Sequence, residues 1–131
     1  MQINGLTPNP HFHNQIELIY IINGETVAIA DQKKTAIKAG ELFFAFPNQI
    51  HYYEKTPIGK YIVILFSSKL LYGMEDILYN NVPKSNLITE DNLPNLSNII
   101  TDIVNASGDF SHTIRVGIMN QLLAAILPER E

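Results

Sequence analysis

Cysteine is absent from this 131-residue sequence, which excludes disulfides and thiolate metal sites and leaves the compartment open. Charge is sparse: 17% of residues are charged against 46% hydrophobic, a balance that excludes a disordered chain. No apolar run approaches the roughly 20 residues that cross a bilayer, so no membrane span is expected. The start Met1-Gln2-Ile3-Asn4-Gly5 lacks the basic and apolar stretches of a signal peptide, which favours the cytoplasm. The formal net charge is −4, and Lys33, Lys34 and Lys38 are the single local basic group, set around a turn. Without clustered Lys and Arg the chain does not read as an autonomous nucleic-acid binder. It also lacks a G-x-S-x-G elbow and a Gly-rich phosphate loop, so only metal chemistry would make it an enzyme.

What is present reads as one domain, 1–131, with one core. Short β-rich runs occupy Ile16–Ile29, Thr35–Lys38, Leu42–Phe46, His51–Glu54 and Tyr61–Phe66, separated by Asp31-Gln32, Ala39-Gly40, Pro47-Asn48 and Pro57-Ile58-Gly59. Many short strands with frequent turns indicate a sandwich or barrel. Asn23-Gly24 predicts a two-residue hairpin in which Ile19 faces Ala28 and Glu17 faces Ala30 on one surface, while Leu18 and Tyr20 lie on the other. Thr26, Ala28 and Ala30 fill little space, so the Glu17 surface borders either a cavity or long side chains from other strands. A short helix around Lys69–Tyr72 and a closing strand at Leu87-Ile88 complete a barrel over about residues 1–88.

The stretch from Gly5 to Gly24 reads G-x5-H-x-H-x3-E-x6-G, with His11, His13 and Glu17 all at odd positions and therefore on one face of a strand. Gly40 opens a second segment that ends in His51, and Tyr53 shares the parity of His51. Imidazole nitrogen and carboxylate oxygen at His11, His13, Glu17 and His51 suit zinc, manganese, iron or nickel. The other reading of these histidines is hydrogen bonding to one another or to a ligand, with Tyr53 as a further donor. A buried Glu17 has to be paired, protonated or solvated. Tyr20, Tyr52, Tyr61, Phe43, Phe44 and Phe46 read as wall and core, and His112 as an exposed helix residue.

These two segments resemble both halves of the cupin signature. More narrowly, HFHNQIELIYIINGE followed by AGELFFAFPNQIHYY resembles the sensor domain of AraC-type transcription regulators. The second half keeps only Gly40 and His51 of the general cupin pattern. Phe46, Asn48 and Lys55 stand where enzymatic cupins usually carry proline, glycine and a final asparagine, and Pro47-Asn48 before His51 is the regulator style. The resemblance implies a mainly β, cupin-like (double-stranded β-helix or jelly-roll) barrel followed by a C-terminal α-helical hairpin.

After Thr89 the period becomes helical. Leu96, Ile99, Ile100, Ile103 and Val104 mark a first helix capped by Asp91 or Asn92 and ended by Ser107-Gly108; a second, capped by Asp109 or Ser111, runs to about Leu127. On the second helix Ile114, Val116, Ile118, Met119, Leu122, Leu123, Ile126 and Leu127 cover an arc of about 220°, about twice the stripe one contact needs. A second copy of the chain is a natural cover for the surplus, and Leu123 is placed within the shared surface.

The resemblance implies a ligand-sensing and dimerising domain. A small-molecule effector would meet His13, Glu17, His51 and Tyr53, and the homodimer would reach DNA only through a C-terminal helix-turn-helix domain absent from this chain. A linker to that domain would begin at Pro128-Glu129-Arg130-Glu131. The alternative is a stand-alone metal-dependent cupin enzyme, an isomerase or dioxygenase, using His11, His13, Glu17 and His51 around an open coordination position.

Overall fold

The computed structural model describes residues 15–47, 49–54, 59–67 and 85–127. His11, His13, the Lys69–Tyr72 segment and the end at Pro128–Glu131 lie outside these residues. Seven strands are described: β1 (Gln15–Asn23), β2 (Glu25–Ala30), β3 (Lys33–Lys38), β4 (Leu42–Ala45), β5 (His51–Tyr53), β6 (Lys60–Ser67) and β7 (Leu87–Ile88). They form two antiparallel sheets, ordered β6-β1-β4-β7 and β3-β2-β5. Helices α1 (Leu96–Asn105) and α2 (Ser111–Ile126) follow.

Strand parity sorts side chains into two cores. On β1, β4 and β6 the residues Ile19, Ile21, Phe43, Ala45 and Val63 point between the sheets, where they meet Ala28, Ala30, Ile37 and Tyr53. Their neighbours Ile16, Leu18, Leu42, Phe44, Ile64 and Phe66 point the other way, onto the helices. The period of two thus gives three layers, with the β1 sheet in the middle and both of its faces apolar. From α1, Leu96, Ile100 and Ile103 reach this second core; from α2, Met119, Leu122, Leu123 and Ile126 do so. Each set recurs at helical spacing.

The Asn23-Gly24 hairpin does not form. β1 pairs with β4 and β6 on its two edges, and β2 pairs with β3 and β5, so the dipeptide is a corner between sheets. A type I′ turn needs positive φ at both central residues, and of this pair only Gly24, at 90°, has it. Asn23 instead accepts the Lys60 N–H on its side-chain oxygen at 2.6 Å, tying the corner to β6. The two-residue hairpin is at Asp31-Gln32, where φ is 50° and 70° and Ala30 pairs with Lys33. The expected division of surfaces survives the correction: Glu17, Ile19, Ala28 and Ala30 share the inter-sheet space although β1 and β2 are not partners.

Helix capping also differs from expectation. Asn95, with φ 64°, precedes α1, and the Glu90 carboxylate accepts the N–H groups of Asn95 (2.8 Å) and Ser97 (3.4 Å) in place of a cap from Asp91 or Asn92. Asn92 bonds Thr89 N at 2.6 Å instead. α2 begins at Ser111 with Phe110 at the cap position and no capping side chain, so neither Asp109 nor Ser111 caps it. Arg115 joins the helices by donating to the carbonyls of Ile103 (3.3 Å) and Ala106 (3.0 Å) at the end of α1.

Candidate functional site

Glu17 lies in the middle of β1, opposite Ala45 on β4 and Leu65 on β6. In the other sheet His51 and Tyr53 on β5 sit opposite Ala30 and Ala28 on β2. Alanines at the facing positions leave room for the three polar side chains to meet between the sheets. Long side chains from β5 therefore occupy space that the small residues of β2 leave.

The contact is specific. The Tyr53 hydroxyl donates to Glu17 Oε2 at 2.5 Å, and His51 Nε2 lies 2.9 Å from the same oxygen. On its other side, His51 Nδ1 is 3.1 Å from the carbonyl oxygen of Gln49. A carbonyl can only accept, so Nδ1 carries the hydrogen of that bond. A second hydrogen must lie between Nε2 and Oε2, because two lone pairs cannot hold each other at that distance. The requirement that a buried Glu17 be paired is thus met from the opposite sheet. His51 is 1% exposed and Tyr53 2%, whereas Glu17 keeps 9%. Among these three, Glu17 is the most exposed.

Burial first, then the charge of Glu17 and the hydrogen bond to it, push the Tyr53 phenol well above its ordinary range. Tyr53 therefore remains a neutral donor at any physiological pH. Its ring is packed edge-on against Phe43 and His51, with centroid separations of 6.3 and 6.2 Å. That packing fixes the donor's direction.

Behind the trio stands a support that sequence reasoning did not single out. Gln49, itself buried, accepts the Phe46 N–H and exchanges amide contacts with Asn86; it also donates to Asp31 at 3.1 Å. Asn86 donates to the Phe44 carbonyl at 2.8 Å and accepts the Phe44 N–H on its own. This clasp holds the turn before β5 and hence the carbonyl that meets His51. Gln49 shares the parity of His51 and Tyr53, a signal that could have marked it; no local signal marks Asn86.

Of the residues predicted to converge, the structure brings together Glu17, His51 and Tyr53, with His11 and His13 outside the described residues. His112 is exposed on α2, as expected. Among the described residues no group of three or more metal-ligating side chains occurs. Glu17 and His51, two of the four proposed metal ligands, face each other in a hydrogen bond.

Residues 1–64 match the family model of the cupin domain. The two-sheet part of the chain has a cupin-like fold. With its C-terminal helices, the chain is similar to the AraC-like transcriptional activator CuxR, with a TM-score of 0.65 and 16% identity over 91% of this chain and 45% of that one. It is also similar to an apo variant of ToxT from Vibrio cholerae, with a TM-score of 0.51 and 13% identity over 93% and 52%. At these identities the likeness is one of fold. The chain spans about half the length of either structure. No curated protein matches its sequence significantly. No helix among the described residues is long and apolar enough to cross a membrane.

Proposed function

We propose that this chain is the effector-sensing and dimerising domain of a cytoplasmic AraC-type transcription regulator, acting on DNA through a helix-turn-helix domain outside the given sequence. The observation that carries the reading is the Glu17–His51–Tyr53 cluster, a buried polar constellation between the sheets of a cupin fold. A carboxyl group backed by a phenol and an imidazole suits a small molecule with several hydroxyl or amide groups. Such a ligand exchanges hydrogen bonds with Glu17 while His51 and Tyr53 hold the carboxyl in place. Through the ligand's preference for one arrangement of the attached domains, binding shifts their equilibrium.

Dimerisation uses the outer face of α2. Ile114, Gly117, Gln121 and Ala124 are exposed and fall within about 80° on the helix, opposite its buried residues, with Phe110 at the head of the same side. Phe110 is 75% exposed and Ile114 44%, and a side chain at Gly117 would meet nothing within 4 Å. A stripe with two large apolar side chains and a central notch suits a second copy of the same helix across a two-fold axis. Leu123, by contrast, is fully buried within its own chain and takes no part.

A panel of polar metabolites tested by thermal shift checks the sensing function. A ligand that raises the melting temperature of the native chain and fails to do so in Glu17→Gln supports it, and binding that ignores Glu17 refutes it.

A further inference from the structure

A cleft of about 200 Å³ opens where β6 meets both helices, lined by Ile64, Leu65, Phe66, Ile103, Ser111, His112 and Arg115. It shares no residue with the Glu17–His51–Tyr53 cluster. The geometry points to a second binding site here, for a small organic anion with an apolar body, such as a one-ring carboxylate.

The walls divide by chemistry. The side chains of Ile64, Phe66 and Ile103 give an apolar floor, and the hydroxyl, imidazole and guanidinium of Ser111, His112 and Arg115 stand on one side, all from a single turn and a half of α2. Among the described residues no carboxylate lines the cleft. Arg115 is half-buried, and its only described partners are the neutral carbonyls of Ile103 and Ala106, reached through Nε and Nη2. Its charge therefore has no anionic partner among the described residues, and Nη1 is uncommitted in these bonds. A guanidinium binds a carboxylate through paired donors, which gives directional selectivity for an anion over a neutral isostere. Size narrows the class further: a cavity of about 150 Å³ accommodates benzene, so this cleft suits one ring and its carboxylate.

Because the site touches β6, α1 and α2 together, an anion bound here would fix the helical layer against the barrel. The inference stands apart from the sensing role of the barrel, and either can fail without the other.

The test is a titration of the whole chain with sodium benzoate and with benzamide, its neutral isostere, followed by amide chemical shifts. Benzoate is expected to move the resonances of Ile103 and Ser111–Arg115 saturably, with benzamide at least about tenfold weaker, the equivalent of about 1.4 kcal/mol. His112→Gln, an exposed substitution, and Arg115→Lys, which keeps the charge but not the paired geometry, are each expected to weaken benzoate several-fold at unchanged benzamide affinity. Equal binding of the two probes, shifts confined to Glu17, His51 and Tyr53, affinity unchanged in both variants, or no saturation by about 10 mM would overturn the proposal.

Discussion

Tyr53 donates its hydroxyl hydrogen, at 2.5 Å, to the oxygen of Glu17 that also meets His51, and so joins the two sheets through one buried carboxyl group.

Tyr53→Phe keeps the ring packing against Phe43 and His51 and removes one donor to Glu17. It should destabilise the chain by about 1–3 kcal/mol in urea unfolding, the range for leaving a buried polar group short of a partner. The phenol's ionisation lies higher in the folded than in the unfolded chain. Its contribution is therefore complete below the unfolded value of about 10 and is lost as pH rises from there through the folded value, at about 1.4 kcal/mol per pH unit. The native chain should lose this increment relative to Tyr53→Phe above about pH 10, and equal alkaline slopes in the two would contradict the assignment.

Removing the acceptor should cost more than removing a donor. Glu17→Ala leaves both the Tyr53 hydroxyl and the His51 Nε2 without their shared partner, for an expected loss of about 3–5 kcal/mol. Glu17→Gln retains an oxygen acceptor and should fall between this variant and the native chain. A double-mutant cycle of Glu17→Gln with Tyr53→Phe should give a coupling of about 0.5–3 kcal/mol; strict additivity would show that the contact has no energetic content.

Chelation is expected to leave the melting temperature unchanged. Glu17 Oε2 and His51 Nε2 are engaged with each other, and a cation bound to both would have to displace the hydrogen between them. A fall in melting temperature with EDTA that zinc reverses would instead place a metal at this centre.

How much of this could be read from residues alone depends on the range of the signal. Placing Glu17 inside and Leu18 outside needed only the period of a strand, which any partner leaves intact. Pairing needed more. Asn23-Gly24 is a strong local hairpin signal, but both edges of β1 are taken by β4 and β6, strands more distant in sequence, so long-range pairing overrides the dipeptide. Tyr53 was legible by its parity with His51. Asn86 was not, because its role comes from β7 adding to β4, a contact over 40 residues with no local trace. On α2 the apolar arc was legible as too wide for one contact, yet its division between the chain's own core and an outer face was not. The core takes Leu123 and leaves Ile114.

That division predicts opposite outcomes for two charges on one helix. Ile114→Glu should abolish association in sedimentation experiments and leave the circular dichroism unchanged, whereas Leu123→Glu should prevent folding. Gly117→Ala should stabilise the isolated helix by about 0.5–1 kcal/mol while weakening the dimer, since the added methyl group fills the notch. A native chain that sediments as a monomer at tens of micromolar would contradict this use of the surface.

The central claim is that Glu17, His51 and Tyr53 recognise a small polar effector, and a thermal-shift comparison of native chain and Glu17→Gln tests it most directly. A panel of sugars, polyols and other polar metabolites should contain a compound that stabilises the native chain, by about 2.7 kcal/mol at one hundred times its Kd, with the shift absent in Glu17→Gln. An equal shift in both proteins would show that the ligand binds elsewhere, and would contradict the account.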